Sequence, residues 1–185
     1  MILYDLFEDE MSDLKKVIDT PYAIQFIKNP ALEVQLAAVR QDGLAIQFIQ
    51  NPSLEVQLAA VRQYGSAIKF IKNPPLEVQL AAVRENDCAI RHIKNPSLEV
   101  QLAAVEQGWD AICYITNPSL DVQLAAVRQN GHAILNIKNP ALEVQYYVIR
   151  KDPELFHYIK NPHRKAIYFY ELLTDHERFG KNETD

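Results

Sequence analysis

The chain has 185 residues, 48% of them hydrophobic and 23% charged, with a formal net charge of −5. That balance suits a soluble domain with a continuous core, and it argues against bulk nucleic-acid binding, which needs a net basic face. Cys88 and Cys113 are too few for a disulfide scaffold, no stretch approaches the roughly 20 apolar residues of a membrane span, and MILYDLFEDE has no basic n-region, so a cytoplasmic protein without a secretory leader is expected.

Residues 1–22 read as a degenerate N-terminal cap. The segment is acidic (Asp5, Glu8, Asp9, Glu10, Asp13, Asp19) against Lys15 and Lys16. Within it Glu10–Tyr22 is a decayed copy of the unit that follows, with Leu14 and Val17 at core positions and two lysines in place of a pair of alanines.

Residues 23–154 hold six copies of a 22-residue unit starting at Ala23, Ala45, Ala67, Ala89, Ala111 and Ala133. An unbroken period of this length is the signature of a solenoid. The fold class expected is all-α: a right-handed α-solenoid of short helix pairs, each an α-helix plus a short α or 3-10 helix, with terminal capping helices. In each unit Asn-Pro predicts a helix start, with Asn29 as N-cap and Pro30 at the first helical position. The long helix then runs from Pro30 to Gln41. Gly43, Gly65 and Gly131 are expected just past such helices in the left-handed conformation. A short second helix, Ala45–Gln50 in the second copy, leads to the next Asn-Pro.

On a helical wheel Val34, Ala38, Gln35, Val39, Leu32 and Leu36 share one broad arc, and Arg40, Glu33, Ala37 and Gln41 the other. A helix pair of this size cannot bury such an arc alone, so stacking supplies the core. The polar member, Gln35, is repeated as Gln57, Gln79, Gln101, Gln123 and Gln145. A fixed polar residue in a buried arc needs hydrogen bonds. It is read as a ladder in which each amide bonds backbone or the Asn of an adjacent unit, through Asn51, Gln57, Asn73, Gln79, Asn95, Gln101, Asn117 and Gln123.

Residues 155–179 read as a half-repeat and a capping helix. Tyr146-Tyr147-Val148-Ile149 replaces Leu-Ala-Ala-Val, and an aromatic helix near His163–Arg178 covers the last face or offers a docking surface. Residues 180–185 read as a frayed tail.

The Asn-Pro-x-x-Glu-Val-Gln segment resembles the second helix of HEAT repeats. In that family an acid stands six positions before the Arg of a Val-Arg pair, and the two form an inter-repeat ladder. Asn29 and Gln35 have the same separation, so the resemblance implies a neutral version. The 22-residue length is nearer the leucine-rich variant repeat. The unit is also similar to short repeats of the AI-x-(F/Y)-I-K-N-P-S type in bacterial, phage and giant-virus proteins. The resemblance implies an interaction scaffold and, in its phage form, an inhibitor of a host or defence complex.

Where the copies differ, function is sought. On the short helix two columns are expected to point outward: Gln25-Gln47-Lys69-Arg91-Cys113-Leu135 and Lys28-Gln50-Lys72-Lys94-Thr116-Lys138. Between them runs Phe26, Phe48, Phe70, His92, Tyr114, Asn136 and Tyr158, whose phenylalanines are expected between units. Departures concentrate in the third and fourth copies, where Gly108 comes early and Trp109 occupies a glycine position. A partner-binding hot spot is therefore placed at Lys69, Arg91, His92, Trp109, Asp110 and Tyr114. Cys88, Asp110 and His132 lie in successive units, too far apart for a triad. Cys88 and His92 make only an isolated Cys-x-x-x-His pair. No catalytic residue, metal or cofactor is expected. The function read here is a non-catalytic scaffold, monomeric or weakly dimeric, that binds a partner protein through the short helices. The alternative is nucleic-acid binding through Lys28, Lys72, Lys94, Lys138 and Lys160.

Overall fold

A computed structural model describes residues 2–179, with side chains described for residues 9–175. The frayed tail expected at residues 180–185 lies outside the described residues. The described chain is all-helical, an α-solenoid of α-helices alternating with six-residue 3-10 helices. It divides into two compact units, Met1–Ala103 and Ala104–Asp185, at a point inside one helix, Leu98–Gln107.

The first unit holds α1 (Ile2–Asp19), η1 (Pro21–Phe26), α2 (Leu32–Gln41), η2 (Gly43–Phe48), α3 (Leu54–Gln63), η3 (Gly65–Phe70), α4 (Leu76–Glu85), η4 (Asp87–His92) and the start of α5 (Leu98–Gln107). The second unit continues from α5 with η5 (Trp109–Tyr114), α6 (Leu120–Gln129), η6 (Gly131–Asn136), α7 (Leu142–Lys151), η7 (Pro153–Tyr158) and α8 (Arg164–Phe179). In each unit a long helix packs on the long helix before it and on the short helices at either side. The core repeats with them. Ile46, Ile68 and Ile90 of the short helices and Val39, Val61 and Val83 of the long ones are buried in the first unit. Ile112, Ile134, Val127 and Ile149 do the same in the second. Small Ala38, Ala60 and Ala82 are fully buried in the same core, and residues of this size let neighbouring helices approach. The expected arc needs one correction. Leu32, Leu54 and Leu76 stand at the first helical position and are exposed, because the helix begins at them and its first turn overhangs the core.

The Asn-Pro string does something other than cap the helix. Asn29, Asn51, Asn73, Asn95, Asn117 and Asn161 have φ between 48 and 54°, the left-handed region. Asn tolerates that conformation better than most residues, and a following proline disfavours the right-handed α region before it. Asn is therefore the turn residue, Pro follows outside the helix, and the N-cap is one residue later, at Ala31, Ser53 or Pro75. Ser53, Ser97 and Ser119 accept from the Val N–H three residues on, each at 3.4 Å.

The glycine expectation also fails: no glycine has a positive φ among the described residues. One extended residue links each long helix to the next short one, as Asp42 does at φ −141°. Asp42 and Asn86 cap η2 and η4 by accepting from Leu44 N–H at 2.9 Å and Cys88 N–H at 3.0 Å. Asn130 and Asp152 repeat this in the second unit. The glycine is then the first residue of the 3-10 helix. Gly43 and Gly65 are required there by close approach, since a Cβ on Gly65 would stand 2.5 Å from the Ala82 carbonyl oxygen.

Candidate interaction surface

The glutamine column forms a repeated structural bond. Nε2 of Gln35, Gln57, Gln79 and Gln101 donates to the carbonyl of Pro30, Pro52, Pro74 and Pro96 at 2.8–2.9 Å. Gln123 and Gln145 do so to Pro118 and Pro140 at 2.9 Å. The partner is the proline carbonyl of the same copy, which in five of these six copies follows a left-handed Asn. Asn51, Asn73, Asn95 and Asn117 take no part; their side chains are exposed. In the second unit the amide oxygens also reach forward. Gln123 Oε1 accepts from Ala141 N–H at 2.9 Å, and Gln145 Oε1 from His163 N–H at 3.0 Å.

A second ladder was not read from the sequence. The last residue of a long helix reaches back one copy. Gln41 donates to the Ile18 carbonyl at 2.7 Å, and Gln63 donates to the Gln41 carbonyl at 3.3 Å while accepting from Gly43 N–H at 2.7 Å. Glu85 accepts from Gly65 N–H, and in the second unit Gln129 donates to the Glu106 carbonyl at 2.9 Å. Glutamines at a helix C-terminus looked like ordinary solvated residues, and only the neighbouring copy reveals their partners.

With stacking accounted for by buried Ile, Val and Ala and by these amides, the outward short-helix columns stand apart. Both are exposed throughout, as expected. The aromatic column between them departs from expectation at Phe26 alone among its phenylalanines. Phe26 is 84% exposed, and Phe48 and Phe70 are each 37% exposed. Phe26 stands in solvent, whereas Phe48 meets Tyr22 of the preceding short helix edge-on at 5.7 Å and Phe70 lines a groove with Ile49 and Pro52 of the preceding copy, as expected of rings between copies.

The six predicted partner-binding residues divide between the units. In the first, Lys69 and Arg91 are exposed and His92 is half-buried. Lys69 Nζ lies 4.7 Å from the Phe70 ring centroid, and Arg91 Nε donates to His92 Nε2 at 3.1 Å. Burial, followed by the charges of Arg91 and Lys69, holds the His92 imidazole below its ordinary value. In the second unit Asp110 is exposed, Tyr114 is 42% exposed and Trp109 is half-buried. Trp109 is the regular first residue of η5, and Gly108 is the ordinary extended link at φ −150°. The register is therefore unbroken in this copy, and no turn is displaced.

No protein-family model, curated protein or solved structure matches this chain.

The repeat leaves the same groove in both units. In the first, Ile49, Pro52, Phe70, Ile71, Gln57 and Lys72 line a groove of about 630 Å³. In the second, Ile115, Pro118, Asn136, Ile137, Gln123 and Lys138 line its counterpart, about 270 Å³. The long-helix grooves of the first unit are different in chemistry. Arg62, Glu77, Arg84 and Glu85 line one, and Arg40, Glu55 and Arg62 another, so charges of both signs alternate there.

At the C-terminal end α8 packs on α7 and η7. Phe156 and Tyr170 stack at 4.1 Å, Tyr146 meets Phe169 edge-on at 5.1 Å, and Tyr170 Oη lies 3.2 Å from His157 Nε2. These rings are engaged in covering the last copy, and Tyr168 faces solvent. No described helix is long and apolar enough to cross a membrane.

Proposed function

We propose that the protein is a non-catalytic helical-repeat scaffold that binds a partner protein through its short-helix surfaces. The observation that carries this reading is the exposed aromatic column. Phe26, Phe48 and Phe70 recur in successive copies of the first unit, and each keeps at least 37% of its surface exposed. A regular row of exposed aromatic rings flanked by polar side chains is the composition of an interface, where aromatic residues anchor and a polar rim excludes water. Tyr114 and half-buried Trp109 give the second unit similar material.

The competing use of the lysine column for nucleic acid draws less support. Lys160 donates to the Leu135 carbonyl at 3.1 Å and so closes a short-helix end. The test is affinity capture with the immobilised protein, comparing wild type with Phe48→Ala/Phe70→Ala and with Trp109→Ala. Specific partners lost in these variants, with thermal melting unchanged, support the reading. The same partners retained by both variants would overturn it. A salt titration separates the alternative, since phosphate contacts give a steep fall of log K with log salt.

A further inference from the structure

From that short-helix reading we infer the chemistry of the partner: the first unit takes an extended acidic protein segment whose carboxylates meet two cationic columns and whose apolar side chains enter the groove beneath. The inference rests on the short-helix surface being the interface, and on three further observations.

The first is charge segregation. In the first unit the column Gln25-Gln47-Lys69-Arg91 and the column Lys28-Gln50-Lys72-Lys94 hold five cations and no carboxylate. Both columns are exposed. None of the five lies within ion-pair distance of an acid; among the described residues the pair found is Lys16–Asp13. A protein with this much Asp and Glu would ordinarily intersperse the two signs, as its long-helix grooves do. Five uncompensated cations along two rows leave a surface that an acidic ligand complements.

The second is the groove. Ile49, Ile71, Pro52 and the Phe70 ring line it together with Lys72 and the amides of Gln47, Gln50, Asn51 and Gln57. Lys69 Nζ stands over the same ring, 4.7 Å from its centroid. A side chain of Leu or Phe size meets Ile49, Ile71 and Phe70 there, while flanking carboxylates reach Lys69 and Lys72. Carboxylate and apolar side chains mixed along an extended chain match this mixture of lining.

The third observation selects a protein segment over a nucleic acid. The first unit carries ten Lys and Arg against thirteen Asp and Glu, so it is net acidic outside the two columns. Asp9, Glu10 and Asp13 of α1 belong to that acidic remainder. A polyanion with a charge on every nucleotide would meet this field along its length, whereas a peptide places carboxylates only where cations wait.

The experiment is fluorescence anisotropy with the full chain and three labelled probes: a peptide of repeating Glu-Glu-Leu, its Gln-Gln-Leu counterpart, and an oligouridylate of equal length. The expected result is binding of the Glu-Glu-Leu peptide, about tenfold weaker binding of the Gln-Gln-Leu peptide, and loss of the first on raising salt. Lys72→Glu/Lys94→Glu should weaken the acidic peptide about tenfold or more, because neither lysine has an internal partner to disturb. Arg62→Glu, on a long-helix groove, should not. Equal binding of the two peptides, or an intact response in Lys72→Glu/Lys94→Glu, overturns the inference. Tighter binding of the oligouridylate overturns it in favour of nucleic acid. Failure here is separable from failure of the interface itself. If Phe48→Ala/Phe70→Ala loses its captured partners while Lys72→Glu/Lys94→Glu keeps them and the acidic peptide does not compete, the surface is right and its chemistry wrong.

Discussion

Pro75 stands eighteen residues after Gln57, at the place from which a backbone N–H reaches the ladder glutamine of the preceding copy at Gln123 and Gln145. Proline has no N–H. Gln57 Oε1 is the buried side-chain oxygen left without a hydrogen-bond partner among the described residues. Its amide nitrogen still holds the Pro52 carbonyl at 2.9 Å, so the side chain cannot turn away to solvent without breaking that bond.

Pro75→Ser is therefore expected to stabilise the protein. It supplies an N–H at the position from which Ala141 reaches Gln123, worth about 1–2 kcal/mol to a buried acceptor, and adds the Ser cap found at Ser53. The lost rigidity of proline in the unfolded chain offsets about 0.4–1 kcal/mol. A rise of about 2–4 °C in melting temperature is the expected reading, with Pro75→Ala intermediate. No rise in either variant would mean that the Gln57 oxygen costs nothing.

The glutamines should differ in worth according to burial. Gln145 is 4% exposed and holds both Pro140 and His163, whereas Gln35 is half-buried and holds only Pro30. Gln145→Ala is expected to cost about 2–3 kcal/mol and Gln35→Ala about 1, measured by urea unfolding. Equal losses would show that the forward bond to the next copy contributes nothing.

Glycine substitutions test the close approach of copies. Gly65→Ala puts a methyl against the backbone carbonyl of Ala82, which cannot yield without moving α4, so about 1–3 kcal/mol should be lost. Gly131→Ala meets only the Leu155 Cδ1 at 2.6 Å, the end of a side chain that can turn. It should be tolerated within about 1 kcal/mol. A comparable loss at Gly131 would mean that its neighbourhood is as rigid as that of Gly65.

His92 supplies a pH signature. Because burial, Arg91 and Lys69 depress its folded value below the ordinary 6.5, its contribution to stability is present above the unfolded value and is lost as pH falls through the folded one. In a proton NMR titration its ring resonance should move at lower pH than that of an unperturbed histidine. Removing the nearby charges in Lys69→Met/Arg91→Met should raise that midpoint. A midpoint unchanged by the double substitution would leave burial as the sole cause.

Much of this protein is legible because its sequence repeats. The period, the Ile, Val and Ala core positions and the outward columns follow from comparing copies, since a stack must use the same residues for the same contacts in every copy. The local signals were ambiguous. Asn-Pro fits both a helix cap and a left-handed turn, and Gly after a helix fits both a C′ residue and a point of close approach. The neighbouring copy decides each case. The glutamine takes the proline carbonyl that stands outside the helix, and the Ala82 carbonyl excludes a Cβ at Gly65. Exposure of the aromatic column was equally undecided by spacing, because a Phe on a short helix serves a core or a surface equally well until its neighbours are seen. By itself the sequence determined that identical helix pairs stack and which faces they stack with. Tertiary structure alone decided which polar groups find partners in the next copy, that Gln57 Oε1 does not, and how much of each aromatic ring on the short-helix face of the first unit reaches solvent.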